Sequence, residues 1–100
     1  MVEAYISNQG FILTGHAEYA DKGYDIVCAA ISALSQTIAI SAELNGRGKA
    51  YNTSKWVSFE VDSPSDIQVA LFRTLEIGLR HIAKDYPMHL QVKTNFRRRD

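Results

Sequence analysis

Val2, Ala4 and Ile6 alternate with Glu3, Tyr5 and Ser7, the period-two pattern of a strand with one buried face. Asn8-Gln9-Gly10 supplies turn chemistry, so Phe11-Ile12-Leu13-Thr14 returns as the second arm of a hairpin. The pattern then breaks. Residues 17–24, with Glu18, Asp21, Lys22 and Gly23, are polar and without a period, and read as a loop. Asp25 is a credible helix N-cap, placing Cys28 at the third helical position. Beyond it Val27, Ile31, Leu34 and Ile38 recur at three- and four-residue steps, with Ala30 and Ala42 beside the stripe. The opposite side is Ala and Ser, so this helix is expected to be covered by the sheet and the other helix, or by a second copy of the chain.

Asn45-Gly46-Arg47-Gly48 ends that helix with glycines suited to positive φ. Residues 49–54 and 56–61 read as two short strands about a tight turn, with Val57, Phe59 and Val61 on one face. Ser63-Pro64-Ser65-Asp66 has the form of a helix opening, with Ser63 as cap, Pro64 first and Asp66 answering three residues after the cap. Ile67, Leu71, Leu75, Gly78, Leu79, Ile82 and Tyr86 make its apolar stripe, and Arg73, Glu76, Arg80 and Lys84 its solvated side, until Pro87 stops it. Met88, Leu90, Val92 and Phe96 form the inward face of a last strand. The order β-β-α-β-β-α-β predicts an α+β fold, a mixed sheet with two helices packed on it, as a single domain over residues 1–100.

Composition agrees with a globular chain: 100 residues, 46% hydrophobic and 22% charged. Eleven basic and eleven acidic side chains cancel, so no global field favours nucleic acid or a membrane, and neither is expected as a direct partner. The local exception is Arg97-Arg98-Arg99, preceded by Lys93. Residues 26–42 carry no formal charge, yet they fall short of the roughly 20 apolar residues of a membrane span. A lone cysteine and an N-terminus without a signal pattern point to a reducing, cytoplasmic setting.

That cysteine, Cys28, lies at a predicted helix start, twelve residues after His16 in Gly15-His16-Ala17. Unpaired N–H groups and partial positive charge at a helix start favour thiolate over thiol. A strand-end imidazole such as His16 can pair with the thiolate and later protonate a leaving amine, with first-turn N–H groups as oxyanion donors. Asp25 is either a cap or an orienting carboxylate for His16. Ser32, one turn on from Cys28, either bonds within the site or packs as a small residue. Two other readings remain open: an inert core cysteine, and a redox sensor, which would need an intermolecular partner because no resolving cysteine exists. His81 and His89 read as surface residues, and no metal or cofactor is expected, since these histidines and Cys28 have no ligand spacing.

Gly15-His16-Ala17, Gly23, Asp25-Ile26-Val27-Cys28-Ala29-Ala30 and Ser32, with Asp85-Tyr86-Pro87 at the end of the second helix, resemble the signature of the ribosomal-processing cysteine protease family Prp. The resemblance implies a cytoplasmic cysteine endopeptidase that removes a short N-terminal extension from a large-subunit ribosomal protein. It implies Cys28 as nucleophile, His16 as general base and acid, and Gly15, Asp25 and Ser32 in supporting positions. It also implies a substrate-covering loop that includes Tyr19, Gly23 and Tyr24, and a homodimer. The alternative from another class is a non-catalytic ribosome-assembly or RNA-binding module using the basic tail.

Overall fold

The structure, a computed structural model, describes residues 1–15, 23–53 and 56–97, and at residues 23–25 the backbone alone. Its elements run β1 (Val2–Ser7), β2 (Gly10–Thr14), α1 (Gly23–Leu44), β3 (Lys49–Asn52), β4 (Trp56–Glu60), α2 (Asp66–Asp85) and β5 (Leu90–Asn95). The order and types are those the hydrophobic pattern predicts. The five strands form one sheet in the order β3-β4-β2-β1-β5, antiparallel throughout except for β1 with β5. The alternation in β1 is read out directly, with Val2, Ala4 and Ile6 buried. Phe11 and Leu13 of β2, Val57 and Phe59 of β4, Val61 and Leu90 join them under the helices.

Both helices are crossovers. α1 joins β2 to β3, which run the same way with β4 between them, and α2 joins β4 to β5 past β2 and β1. Phe72 of α2, fully buried and unmarked by the predicted stripe, sits at the centre, its ring 6.1 Å from that of Phe11 and 5.8 Å from that of Phe59. The helices cross closely at Gly78, where a β-carbon would overlap the Leu34 side chain. A helical glycine here is a packing requirement rather than a turn signal.

Several local expectations are corrected. Helix α1 begins at Gly23, so Gly23 and Tyr24 are helical rather than part of the expected loop, Asp25 belongs to the first turn rather than the cap, and Cys28 is the sixth residue. Its buried stripe is Val27, Ile31, Ser35, Ile38, Ala39 and Ala42, while Ala30 is exposed and Leu34 only partly buried. Ser35 fits this stripe because its hydroxyl donates back to the Ile31 carbonyl at 2.8 Å. The cap of α2 is Ser65, not Ser63. The Ser65 hydroxyl accepts from the Gln68 N–H at 3.1 Å, and the Gln68 side chain accepts from the Ser65 N–H at 3.0 Å, a capping box whose partner is Gln68 rather than Asp66. Ile67 and Tyr86 are exposed, and Met88 lies outside β5 with its side chain in solvent. At the end of α1, Gly48 has the expected positive φ of 116°, whereas Gly46 has no such φ and is small for contact with Gln68.

Candidate functional site

A helix of 22 residues is about 33 Å long, whereas strands of five or six residues span roughly 17–20 Å. α1 leaves its C-terminal end beside Gly48, which abuts Phe59 and Glu60 at the hairpin end of the sheet. Cys28 lies sixteen residues before Leu44, about 24 Å along the axis, so α1 carries it to the opposite end of the sheet, where β2 finishes at Thr14. Val27 and Ile31 are buried and pin this part of the helix. Cys28 itself is half-buried on the flank of the stripe, and Ser32, one turn further, is exposed. A thiol so placed is held by its neighbours yet reachable from solvent, which distinguishes it from the inert core cysteine.

At that end β2 turns sharply. Gly15 has φ of 93°, and a β-carbon there would collide with the Met1 carbonyl oxygen. Only glycine combines this left-handed backbone with so close an approach to the neighbouring strand. Gly15 is the last residue before His16. His16 and Tyr19, and the side chains of Tyr24 and Asp25, lie outside the described residues, as does most of the expected substrate loop.

The earlier start of α1 alters the expected chemistry. The N–H groups left unpaired by helix geometry in the first turn are those of Gly23, Tyr24 and Asp25, whereas in an α-helix the Cys28 N–H bonds one turn back. The donors closest to the helix end therefore lie one turn upstream of the thiol, and the dipole, which acts within the first turn, reaches it less strongly than a third-position residue. His81 is exposed, and His89 is half-buried beside Tyr86, ring centroids 6.3 Å apart, just before β5. Among the described residues no three His, Cys, Asp or Glu side chains are grouped as metal ligands.

A two-layer α+β fold that holds one half-buried thiol near the start of a long helix, at the sheet end where a strained glycine launches a histidine-bearing segment, defines a class of small thiol-bearing domains. Comparison with known proteins narrows it. The family model for cysteine protease Prp matches residues 1–91, and the chain belongs to that family. The ribosomal processing cysteine protease Prp of Mycoplasma genitalium is 30% identical over 95 residues, covering 92% of this chain and 94% of that protein. The fold is shared with an essential ribosomal processing protease Prp from S. aureus, solved in complex with a covalently linked product peptide. That structure has a TM-score of 0.80 and 21% identity, and the match covers 95% of this chain and all of that one. The S. aureus protein in complex with a substrate peptide gives a TM-score of 0.80 at 20% identity, with 95% of this chain and 100% of that one covered.

Proposed function

We propose that the chain is a single catalytic domain over residues 1–100, a cytoplasmic cysteine endopeptidase that removes the N-terminal extension of a large-subunit ribosomal protein with a Cys28–His16 dyad. The observation that carries this reading is the half-buried, helix-held Cys28 in a chain matching the protease family over residues 1–91. The Cys28 thiolate attacks the scissile carbonyl carbon, giving a tetrahedral oxyanion. Collapse of that oxyanion breaks the C–N bond, and the imidazolium of His16 gives its proton to the departing amine. Water, deprotonated by His16, then hydrolyses the thioester and returns the thiol. Asp25 and Ser32 support the dyad from the same helix. The segment containing Tyr19, which leads into Gly23 and Tyr24 at the start of α1, closes over the peptide, and no metal or cofactor enters the scheme.

The test is incubation with a peptide spanning the precursor's extension, with mass analysis of the products. Cys28→Ala and His16→Ala are each expected to abolish cleavage while the thermal unfolding midpoint stays near that of the parent. Substantial turnover by either variant refutes the dyad.

A homodimer through α1 belongs to the same proposal. Ile26, Ala30, Ala33, Thr37, Ile40 and Leu44 follow alternating four- and three-residue steps, the spacing of a helix-pairing seam, and all are exposed. Ile26, Ile40 and Leu44 are 69%, 58% and 79% exposed. By length and composition residues Ile26–Leu44 also meet the requirements of a membrane span, but the opposite stripe of the same helix packs on the sheet and α2, which favours a protein partner over lipid. Ile40→Asp is expected to halve the mass measured by sedimentation equilibrium, and an unchanged dimer would refute this seam.

A further inference from the structure

The helices cover one face of the sheet, and the other face is left open by the described residues. Strand parity puts Tyr5, Ile12 and Tyr51 on that open face in one row, since Tyr5 pairs with Ile12, Ile12 with Ser58, and Ser58 with Tyr51. Trp56 lies on the same face, two residues before Ser58 along β4. These four apolar side chains are 42%, 39%, 46% and 43% exposed. The row ends in a concavity of about 510 Å³ near the hairpin, where Gly10 contributes no side chain and Tyr5, Ile12, Lys93, Asn95 and Glu60 stand around it. It lies at the end of the sheet opposite Cys28 and so is separate from the proposed catalytic site.

The charges on this face are unevenly spread. Lys49 stands over the Tyr51 ring at 5.2 Å and lies opposite Glu60 in the β3–β4 register, so its charge is locally balanced. Glu3 accepts from the Tyr5 hydroxyl at 3.5 Å. On the β5 side, Lys93 stands over the Tyr5 ring at 5.6 Å. The chain beyond β5 is strapped to the hairpin, with the Arg97 N–H donating to Asn8 Oδ1 at 2.6 Å, and this holds Arg97 at the same end. The net charge of zero, which argued against nucleic acid, hides this local arrangement.

We propose that the open face binds single-stranded RNA, independently of the peptidase reading. Bases stack on Tyr5, Trp56 and Tyr51, and the phosphates run along the β5 border on Lys93 and Arg97. Flat rings on a sheet accept unpaired bases whatever their sequence, and a ring face open to an ammonium group is open to a base as well. Asn95 and Ser7 border the concavity with hydrogen-bonding groups suited to base edges. Paired bases hide their faces, so a duplex gains only the phosphate contacts.

The test titrates the full chain with a short fluorescein-labelled oligouridine at low salt, following both the label's anisotropy and the emission of Trp56, the only tryptophan in the chain. Binding should quench Trp56. Tyr5→Ala and Tyr5→Leu should each weaken binding by roughly tenfold, the effect of losing one stacking platform. The second keeps apolar bulk and so separates stacking from folding. Lys93→Gln should lower the slope of log K against log salt by about 0.7, one phosphate contact fewer. All three variants should retain Cys28-dependent peptide cleavage. The proposal is overturned if Trp56 emission ignores the RNA, if Tyr5→Leu binds like the parent, or if a duplex binds as tightly. It is also overturned if Trp56 emission follows protein concentration without RNA, which would mark the face as a contact between copies.

Discussion

Gln68 is fully buried, and replacing it tests the joint between the two helices. Its Nε2 donates to the Ala42 carbonyl at 2.9 Å and the Arg47 carbonyl at 2.6 Å, while its Oε1 accepts from the Ser65 N–H. One side chain therefore closes the C-terminus of α1 and the N-terminus of α2 together. Gln68→Ala strands three backbone groups, and at about 1 kcal/mol for each lost bond the change should cost about 3 kcal/mol. For a domain of this size that lowers the melting temperature by on the order of 15 °C. Gly46 supplies an internal control. A β-carbon there would lie 2.6 Å from Gln68 Cδ, and the triply bonded amide cannot move aside without losing its partners. Gly46→Ala alone should therefore destabilise, and in the Gln68→Ala background it should cost little, because the obstacle is gone. Urea unfolding of the two single variants and the double variant gives the coupling energy. A loss under 1 kcal/mol for Gln68→Ala, or additive effects of the two substitutions, would refute the account.

Gly78→Ala should lose about 1–3 kcal/mol by overpacking against Leu34, despite the roughly 1 kcal/mol that alanine gains in a helix, and Leu34→Ala should restore part of it in the double variant. Phe72→Ala, at the meeting point of the Phe11 and Phe59 rings, should cost about 3–5 kcal/mol in the same assay. Gly15→Ala should lower both the melting temperature and the rate of peptide cleavage, because its φ and its contact with Met1 both exclude a side chain. Full activity at unchanged stability would disconnect that turn from the site.

Strand and helix order was legible because each element's polarity period matches the face it buries, as in Val2-Ala4-Ile6 and Val57-Phe59-Val61. Ends were less legible. Ser63 and Ser65 both have the chemistry of a cap, and the choice falls to Ser65 because Gln68 can then close the box and reach α1, a contact across 26 residues that no local pattern carries. Phe72 was passed over because the stripe was centred on Ile67, whereas the crossing at Gly78 rotates α2 to bury Gln68 and Phe72 instead. At the candidate site, Cys28 and Gly15 are the described residues that the sequence singles out, as a lone thiol and a glycine before histidine. The turn of α1 in which the thiol sits was misread, because Asp25 serves as well inside a first turn as before one.

The inner strand β1 lies between β2 and β5, so the first strand depends for one of its edges on the fifth. During synthesis β1 must wait with one edge bare until residues Leu90–Asn95 leave the ribosome. A nascent or truncated chain stopping at Pro87 would expose that edge to any other strand nearby. Completion of the sheet thus waits on β5, and removing residues Leu90–Asn95 should do more harm than a comparable number of substitutions on the surface.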